Sequence, residues 1–324
     1  MGITAFTSKK LWGGGVLLLL VVALALLPFY TSGYTPVLMT TILMYIILTV
    51  SWVIFSGPTN YISLAPAAFF GVGIYTMALL GDQLPLLVVV CLGGLVSFIL
   101  ALLVGALTLR LRGIYFTIFT FGLVMLIMYI LLYWEFNITK TRGRFVVLES
   151  NSTVYYVMFG ILLVTLLTAY FIRRSKFGLA LQSIGQNEEA AAHSGVNVTM
   201  VKVITFAVSA IFMGAAGAIM ATRWTYIDPS IAFKPFYSFL PVLMAIFGGM
   251  GQLYGPVIGA AIFAYLQEVL VTRFSELYML IFGVVLIASI LFMPKGLVGV
   301  GDWLIKWLGR KLRRGGSAVQ NADT

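Results

Sequence analysis

Long, uninterrupted runs of apolar residues constrain this chain more than any other feature of its sequence. Ten such segments follow one another, and most approach the ~20 residues that an α-helix needs to cross ~30 Å of hydrocarbon. They are residues 11–29, 36–55, 64–80, 84–109, 113–134, 153–172, 203–222, 236–249, 256–270 and 277–293. Segments 64–80, 236–249 and 256–270 are short, and short segments broken by Gly or Pro can enter a bilayer without crossing it fully or line a cavity.

The scarcity of charge decides the class of protein. Hydrophobic residues make up 61% of the 324 residues and charged residues only 9%, whereas a soluble domain carries about 25% charged residues. Continuous runs, rather than strands of about ten residues with alternating polarity, exclude a β-barrel. The sequence therefore predicts an all-α, polytopic membrane protein with about ten transmembrane helices, some short or broken. The single cysteine, Cys91, excludes a disulfide within the chain.

Basic residues predict the orientation of these segments. With the N-terminus inside and ten alternating crossings, 14 Lys and Arg residues fall on the inner side and six on the outer side. Since cytoplasmic loops are rich in Lys and Arg, both termini are expected in the cytoplasm. This arrangement gives a cytoplasmic N-terminus at 1–10, a transmembrane domain at 11–293 and a cytoplasmic tail at 294–324. The net charge of +10 then points to membrane lipid rather than nucleic acid as a partner.

The two terminal segments carry their own signals. Lys9 and Lys10 followed by LWGGGVLLLLVVALALL resemble a secretory signal peptide as well as a membrane helix. Because no A-x-A-like cleavage site follows cleanly, a retained helix is expected. In the tail, DWLIKWLGRKLRR at 302–314 is typical of a basic amphipathic helix lying on the inner leaflet.

The longest internal cytoplasmic loop in this topology is residues 173–200. Its first part, SKFGLALQSI, places Phe177, Leu181 and Ile184 at helical spacing, which predicts a short helix with one apolar face. Gly185 is expected to interrupt that helix. Helix–helix connections usually have about 2–8 residues, so the length of this loop favours a function, although a solvated linker stays the simpler alternative.

The second part of the loop predicts a capped helix. Asn187 can cap its start, acidic residues in the first turn suit the positive end of the helix dipole, and Gly195 can supply the left-handed stop. A helix this short is marginal alone in water, so it is expected to dock on a partner. Small alanines permit close approach of that partner, and the glutamates can meet its basic side chains. The residues expected to carry this contact are Glu188, Glu189, Ala190, Ala191 and Gly195.

A pattern within this helix resembles a known signature. Glu189-Ala190-Ala191 followed by Gly195 is similar to the E-A-A-x-x-x-G motif of ABC importer permeases. The surrounding RRSKFGLALQSIGQNEEAAAHSGVNVTMVK resembles the branched-chain amino-acid ABC permease family, LivM type. Three further blocks agree with that family: 246-IFGGMGQLYGPVIGAA-261, 109-LRLRGIYFTIFTFG-122 and SLAPAAFFGVGIYTMALL at 63–80. The resemblance covers roughly residues 40–300.

The resemblance implies an ABC importer permease fold in a bacterial inner membrane, with the loop 173–200 seated in a groove of a cytoplasmic ATPase. It also implies the partners: two ABC ATPase subunits, a paralogous permease subunit and an external solute-binding protein. No G-x-x-x-x-G-K-[ST] motif appears in the chain, so ATP and Mg are expected on the ATPases and no cofactor is expected here. With one histidine and no carboxylate or metal-ligand cluster, neither catalysis nor a metal site is predicted.

The cargo stays open at this point. Where the family usually has Gly-His, this chain has Ala65-Pro66, and Gly57-Pro58-Thr59-Asn60 and 139-TKTRGRF-145 also depart from the family pattern. Branched-chain amino acids, urea, short amides and other small carboxylates are all compatible with the sequence. Candidate pathway residues are Ser63, Phe69, Tyr75, Gly248, Gly249 and Gly251.

An ATP-independent channel or facilitator for a small solute such as urea is the alternative function. In that case the glycines of 71–73 and 248–251 would line a pore. Close helix packing is the competing interpretation of those glycines, since small residues favour helix contacts in lipid.

Overall fold

The computed structural model describes residues 21–28, 30 and 33–274, together with positions 277, 280, 281, 283, 284, 287, 296, 297 and 299. Residues 21–28 are helical. The helices that follow are α1 Tyr34–Thr59, α2 Pro66–Leu80, α3 Leu86–Thr108, α4 Ile114–Trp134, α5 Asn151–Arg174, α6 Lys176–Gln186, α7 Glu188–His193, α8 Val198–Ala221, α9 Pro229–Ala232, α10 Phe236–Gly248 and α11 Tyr254–Arg273. A π-helical turn, Glu135–Thr139, extends α4, and the short strands β1 Arg144–Phe145 and β2 Tyr226–Ile227 pair antiparallel.

Seven helical spans in the described ranges are long and apolar enough to cross a membrane. They are α1, α3, α4 with its π-helical turn, α5, α8, α9 joined to α10, and α11, while α2 is apolar but only 15 residues long. Segment 256–270, expected to be short, is in fact a 20-residue helix. Predicted segments 11–29 and 277–293 lie largely outside the described residues, and the tail helix 302–314 lies wholly outside them. The count of about ten crossings therefore stays a prediction.

Helix α8 forms the centre of the described fold and packs on α1, α2 and α3. Small residues set the distance between these helices. A Cβ added at Gly73 of α2 would collide with the backbone carbonyl of Gly214 on α8, and one at Gly214 would collide with Ser97 of α3. Such close approach of backbones is how helices gain packing energy in lipid, where the hydrophobic effect between them is absent.

Helices α3 and α4 leave much of their surface uncovered. Exposed apolar side chains follow one another along α4, among them Ile114, Tyr115, Ile118, Tyr129 and Tyr133. Similar residues line α3, including Leu87, Leu95, Leu103 and Leu107. An apolar surface of this extent is suited to lipid tails or to another membrane chain.

The connecting segments gather at two ends of the helices. At one, called the loop end, the Asn60 side chain donates to the Gly185 carbonyl at 3.0 Å and Arg173 donates to the Gly251 carbonyl at 2.7 Å. At the other, called the far end, the Tyr75 hydroxyl lies 3.0 Å from the Glu135 carboxylate. The loop 173–200 and the turns that precede α2, α4 and α11 thus share the loop end, as the predicted alternating crossings require.

Candidate functional site

Helix α6 begins the polar segment at the loop end. Ser175 caps it by accepting a hydrogen bond from the Gly178 N–H at 3.3 Å. Leu181 and Ile184 are buried, as their spacing predicts. Phe177 was expected on the same face but is 48% exposed, because the buried row runs through Gly178 instead.

Gly185 does not interrupt α6, contrary to the sequence prediction. The helix continues to Gln186, and the break comes at Asn187. A Cβ at Gly185 would collide with the Pro58 carbonyl near the end of α1. The glycine therefore permits close packing of α6 against α1 rather than a turn.

The predicted capped helix is confirmed. The Asn187 carbonyl oxygen of the side chain accepts hydrogen bonds from the N–H groups of Glu189 at 3.0 Å and Ala190 at 3.1 Å, which starts α7. After α7, Gly195 has φ +84°, a left-handed conformation that glycine adopts without strain. The local sequence thus determines both ends of this helix.

The alanines of α7 divide between two faces. Ala191 is buried in a small cluster with Leu181, Ile184 and Val201, which joins α7 to α6 and α8. Ala190 and Ala192 are exposed. Together with Gly195, whose Cβ position has nothing within 4 Å in the part of the chain that the structure describes, they leave a low, smooth surface that another backbone could approach closely.

The two glutamates of α7 differ sharply in their surroundings. The Glu188 carboxylate binds Lys202 Nζ at 2.5 Å and the Tyr61 hydroxyl at 2.6 Å, and lies 3.6 Å from Arg112 Nε. The Glu189 side chain is 74% exposed, and within the described ranges its carboxylate pairs with the Arg112 guanidinium alone, at 3.3 Å. Of the glutamates expected to meet a partner's basic side chains, Glu188 is therefore engaged within its own chain.

Lys202, on α8, is the buried member of this ion pair. Its side chain is 2% exposed, and Nζ also donates to the Leu109 carbonyl at 3.0 Å and lies 4.6 Å from the centre of the Tyr61 ring. A buried ammonium needs such partners, since removing a charge from water costs several kcal/mol per ion. The cluster of Glu188, Lys202, Tyr61 and the Leu109 carbonyl is called the ion-pair node below.

The contacts within the ion-pair node change the pKa values of Glu188 and Tyr61. Partial burial acts to raise the pKa of Glu188, but hydrogen bonds from Lys202 and Tyr61 and the nearby positive charges outweigh it, so the pKa is lowered. Burial, and then the hydrogen bond to Glu188, raise the pKa of the Tyr61 phenol. Near neutral pH, therefore, Glu188 is ionised and Tyr61 keeps the proton that it donates.

The six candidate pathway residues do not meet at one place. Ser63 and Phe69 line a void of about 10 Å³, room for about one water molecule. Tyr75 lies at the far end. Gly71 packs against Phe233, and Gly73 packs against Gly214. Gly248 packs against Gly255. Gly249 has φ +96°, and Gly251 borders a larger cavity. Helix packing thus accounts for Gly71, Gly73 and Gly248.

The larger cavity lies at the loop end and has a volume of about 320 Å³. It opens between α1, α5, α6 and the turn at 250–253. Arg173 and Gln182 are its polar wall residues, and apolar side chains supply most of the remainder. Because α6 forms one wall, any displacement of α6 changes the shape of this cavity.

A buried carboxylate, Glu135, lies at the far end. It is fully buried and accepts hydrogen bonds from the Tyr75 hydroxyl and the Gly143 N–H, both at 3.0 Å. These bonds fasten the loop after α4 to the end of α2. Among the described residues, no three His, Cys, Asp or Glu side chains gather as metal ligands would.

Sequence reasoning missed Lys202 and Tyr61, because Lys202 counted only as one of the inner basic residues. One signal was available. Lys202 lies inside an apolar helix, and Thr205 and Ser209 follow at i+3 and i+7, which marks a polar stripe on that helix. Its acceptors, by contrast, come from distant parts of the chain and leave no local pattern.

The helices and the charged loop end define a multi-pass α-helical membrane protein. A family model described as "Branched-chain amino acid transport system / permease component" matches residues 35–290. The chain therefore belongs to this family of branched-chain amino acid transport permeases. It is a family of transport proteins and not of enzymes.

Individual relatives agree with the family. The chain is 27% identical over 314 residues to the high-affinity branched-chain amino acid transport system permease protein LivM of Salmonella typhimurium, and 28% identical to that of Escherichia coli. Each match covers 86% of this chain and 73% of the relative. The xylose transport system permease protein XylH of Haemophilus influenzae is 28% identical over 130 residues, 39% of this chain and 35% of that protein. No solved structure matches this chain.

Proposed function

We propose that this chain is the membrane-spanning permease subunit of an ATP-binding-cassette importer, powered by separate ATPase subunits that dock on the loop 173–200. The observation that carries the proposal is the geometry of α7. Its outer face presents Ala190 and Ala192, and its inner side is fixed to α6 and α8 through Ala191 and Glu188. The outer face of α7 can fit closely against an ATPase subunit, and its inner side is bonded to α6 and α8. A movement of the ATPase subunit would therefore displace α7 and the helices bonded to it.

The mechanism follows from that anchoring. Nucleotide binding draws the two ATPase subunits together, and α7 moves with the groove that holds it. Because α7 is bonded to α8, the motion reaches the centre of the fold as a rigid-body displacement. ATP and Mg belong to the ATPases in this scheme, and this chain contributes no cofactor site.

The proposed cargo is a branched-chain amino acid or a similar small polar solute. The family and the two LivM relatives support this choice. The departure at Gly57–Asn60 bears little on the cargo, because these residues lie at the loop end, where Asn60 and Pro58 contact Gly185 of α6. The departure at 139–145 falls instead in the far-end loop that Glu135 holds.

The remaining partners follow from the same proposal. A paralogous permease would cover part of the exposed apolar surface of α3 and α4, and lipid would cover the rest. An external solute-binding protein would dock at the far end, near the loop 140–150 and the β1–β2 pair. The chain would lie in a bacterial inner membrane with both termini and the loop 173–200 in the cytoplasm.

Docking can be tested by placing bulk on the smooth face of α7. Ala192→Trp should abolish co-purification of the ATPase subunits and ATP-driven uptake, because the indole would hold the two backbones apart. Val147→Trp is the matched control, since Val147 is also exposed but lies at the far end. Co-purification and uptake that survive Ala192→Trp would contradict the proposed docking face.

Sidedness can be tested by labelling in intact cells. In a Cys91→Ser background, a membrane-impermeant maleimide should label Lys140→Cys from outside and Ala192→Cys only after the membrane is opened. Labelling of Ala192→Cys in intact cells would place α7 outside and overturn the proposal. Uptake of solute by the purified chain alone in liposomes, without ATP, would favour a facilitator instead.

A further inference from the structure

We propose that Lys202 is a positioning residue that transmits the movement of α7 to the membrane helices. The inference rests on the proposed function, because it concerns how docking on α7 becomes motion of the helices behind it. It assigns the ion-pair node a mechanical role: the node makes α7, α8, the end of α3 and the α1–α2 linker move together.

The hydrogen-bond geometry of Lys202 supports this role. A lysine ammonium has three N–H donors and no acceptor. Lys202 Nζ has three oxygen atoms in reach: Glu188 Oε1 at 2.5 Å, the Leu109 carbonyl at 3.0 Å and the Tyr61 hydroxyl at 3.4 Å. One belongs to α7, one directly follows α3 and one lies between α1 and α2. A single nitrogen therefore joins three separate segments to α8.

Burial makes these bonds resistant to separation. At 2% exposure, Lys202 cannot exchange its protein partners for water as α7 is displaced. Breaking the contact with Glu188 would leave the Lys202 ammonium without its carboxylate in surroundings of low polarity, which raises the free energy of the folded chain. The favourable response to a displacement of α7 is therefore that α8 follows it.

The other basic residue in contact with Glu188 lacks this property. Arg112 is 64% exposed, and its contacts with Glu188 at 3.6 Å and Glu189 at 3.3 Å face solvent. Exposed ion pairs of this kind contribute little because water replaces either partner easily. Arg112 is therefore the matched control for Lys202.

Motion that reaches α8 is passed on by packing. The small residues around Gly214 hold α8 in backbone contact with α2 and α3. Packed helices shift as units, because their interfaces do not deform continuously. The ion-pair node and the glycine contacts thus form one chain of contacts from α7 into the centre of the fold.

The test uses the complete reconstituted transporter, takes leucine as the probe solute and measures leucine taken up per ATP hydrolysed. A double variant, Glu188→Gln with Lys202→Met, removes both charges, so no unpaired ion is left buried. We expect it to fold and to retain the ATPase subunits and ATP hydrolysis, while uptake per ATP falls about tenfold, a typical size for coupling between two sites. Arg112→Gln should stay within about twofold of the wild type.

The outcomes separate this inference from the proposed function. Unchanged uptake per ATP in the folded double variant would overturn the role of Lys202 and leave ATPase docking intact. Loss of the ATPase subunits from that variant would also overturn it, because the node would then shape the docking face. Lys202→Arg, which keeps the charge, should recover more uptake per ATP than Lys202→Met, and equal values would count against the proposal. A wild-type transporter with no ATP-driven uptake would refute the proposed function itself.

Discussion

Helices α8 and α4 both begin at the loop end and are close in length and mean hydropathy. Helix α8 has 24 residues and α4 with its π-helical turn has 26, and both are long and apolar enough to cross a membrane. Each also begins near a basic residue that contacts Glu188: Lys202 lies in the first turns of α8, and Arg112 just precedes α4. Yet α8 is largely buried at the centre of the fold, while α4 lies mostly exposed at its edge.

Between these two helices, the difference in burial follows side-chain size rather than hydropathy. The buried stretch of α8 is built largely from small residues: Ala207, Ala210, Gly214, Ala215, Ala216, Gly217 and Ala218. Bulky aliphatic and aromatic residues dominate α4. Small residues let neighbouring backbones approach, whereas large ones present a surface suited to lipid or to another chain.

Enlarging one glycine on each helix should give the largest difference between α8 and α4. Gly214→Leu should prevent correct folding or cost about 3 kcal/mol, because its side chain would collide with the Gly93 carbonyl and the Ser97 side chain of α3. Gly122→Leu on α4 should be tolerated, since no atom of the described residues lies within 4 Å of its Cβ position. Monodispersity in detergent and the thermal midpoint measure both. A well-folded Gly214→Leu variant would refute the packing at the centre.

Truncation of one aromatic residue on each helix should give the next largest difference. Phe206→Ala on α8 should cost about 3–5 kcal/mol, because the ring is buried against Phe55 and Phe69 with centres 5.1 and 5.3 Å away. Phe119→Ala on α4 removes an exposed ring and should cost less than about 1 kcal/mol. Unfolding midpoints in detergent compare the two, and equal losses would show that α4 is covered by protein within this chain.

The charged starts of the two helices provide a third comparison. Glu188→Gln leaves Lys202 buried without its carboxylate and should cost about 3 kcal/mol. Glu189→Gln removes only the exposed contact with Arg112 and should leave the thermal midpoint nearly unchanged. Equal changes of the thermal midpoint for both substitutions would contradict the burial of Lys202, because they would mean that water reaches its ammonium group.

Acid should produce the smallest effect. Because the pKa of Glu188 is lowered in the folded chain, its contribution to stability is complete above the ordinary glutamate value of about 4.3 and is lost as pH falls through the lowered value. Between about pH 6 and about pH 3, the thermal midpoint of the wild type should therefore fall further than that of Glu188→Gln. Parallel curves for the two proteins would contradict the lowered pKa.

Patterns that act over a few residues were predictable from the sequence. The apolar segments between 36 and 270, the Asn187 cap and the left-handed Gly195 all depend on neighbours within one or two turns. The family itself was recognised from short blocks of sequence. These features follow from local hydropathy, capping and backbone preferences, which a single sequence displays.

Contacts between distant segments could not be predicted in the same way. Gly185 was assigned to a break because a glycine in a polar loop usually ends a helix, whereas its reason is the Pro58 carbonyl 127 positions earlier. Lys202 finds the Leu109 backbone carbonyl, and any residue type would supply that acceptor. The candidate pathway residues were chosen by type, and the structure separates them because packing depends on the neighbouring helix.

The small residues of α8 also limit how this protein can evolve. Gly214 already has the smallest side chain, so every substitution there adds volume where α3 leaves none. Most side chains of α4 are not buried and can change size without such a collision. Tolerated variation should therefore accumulate on the rim of the molecule, while the middle changes only when two helices change together.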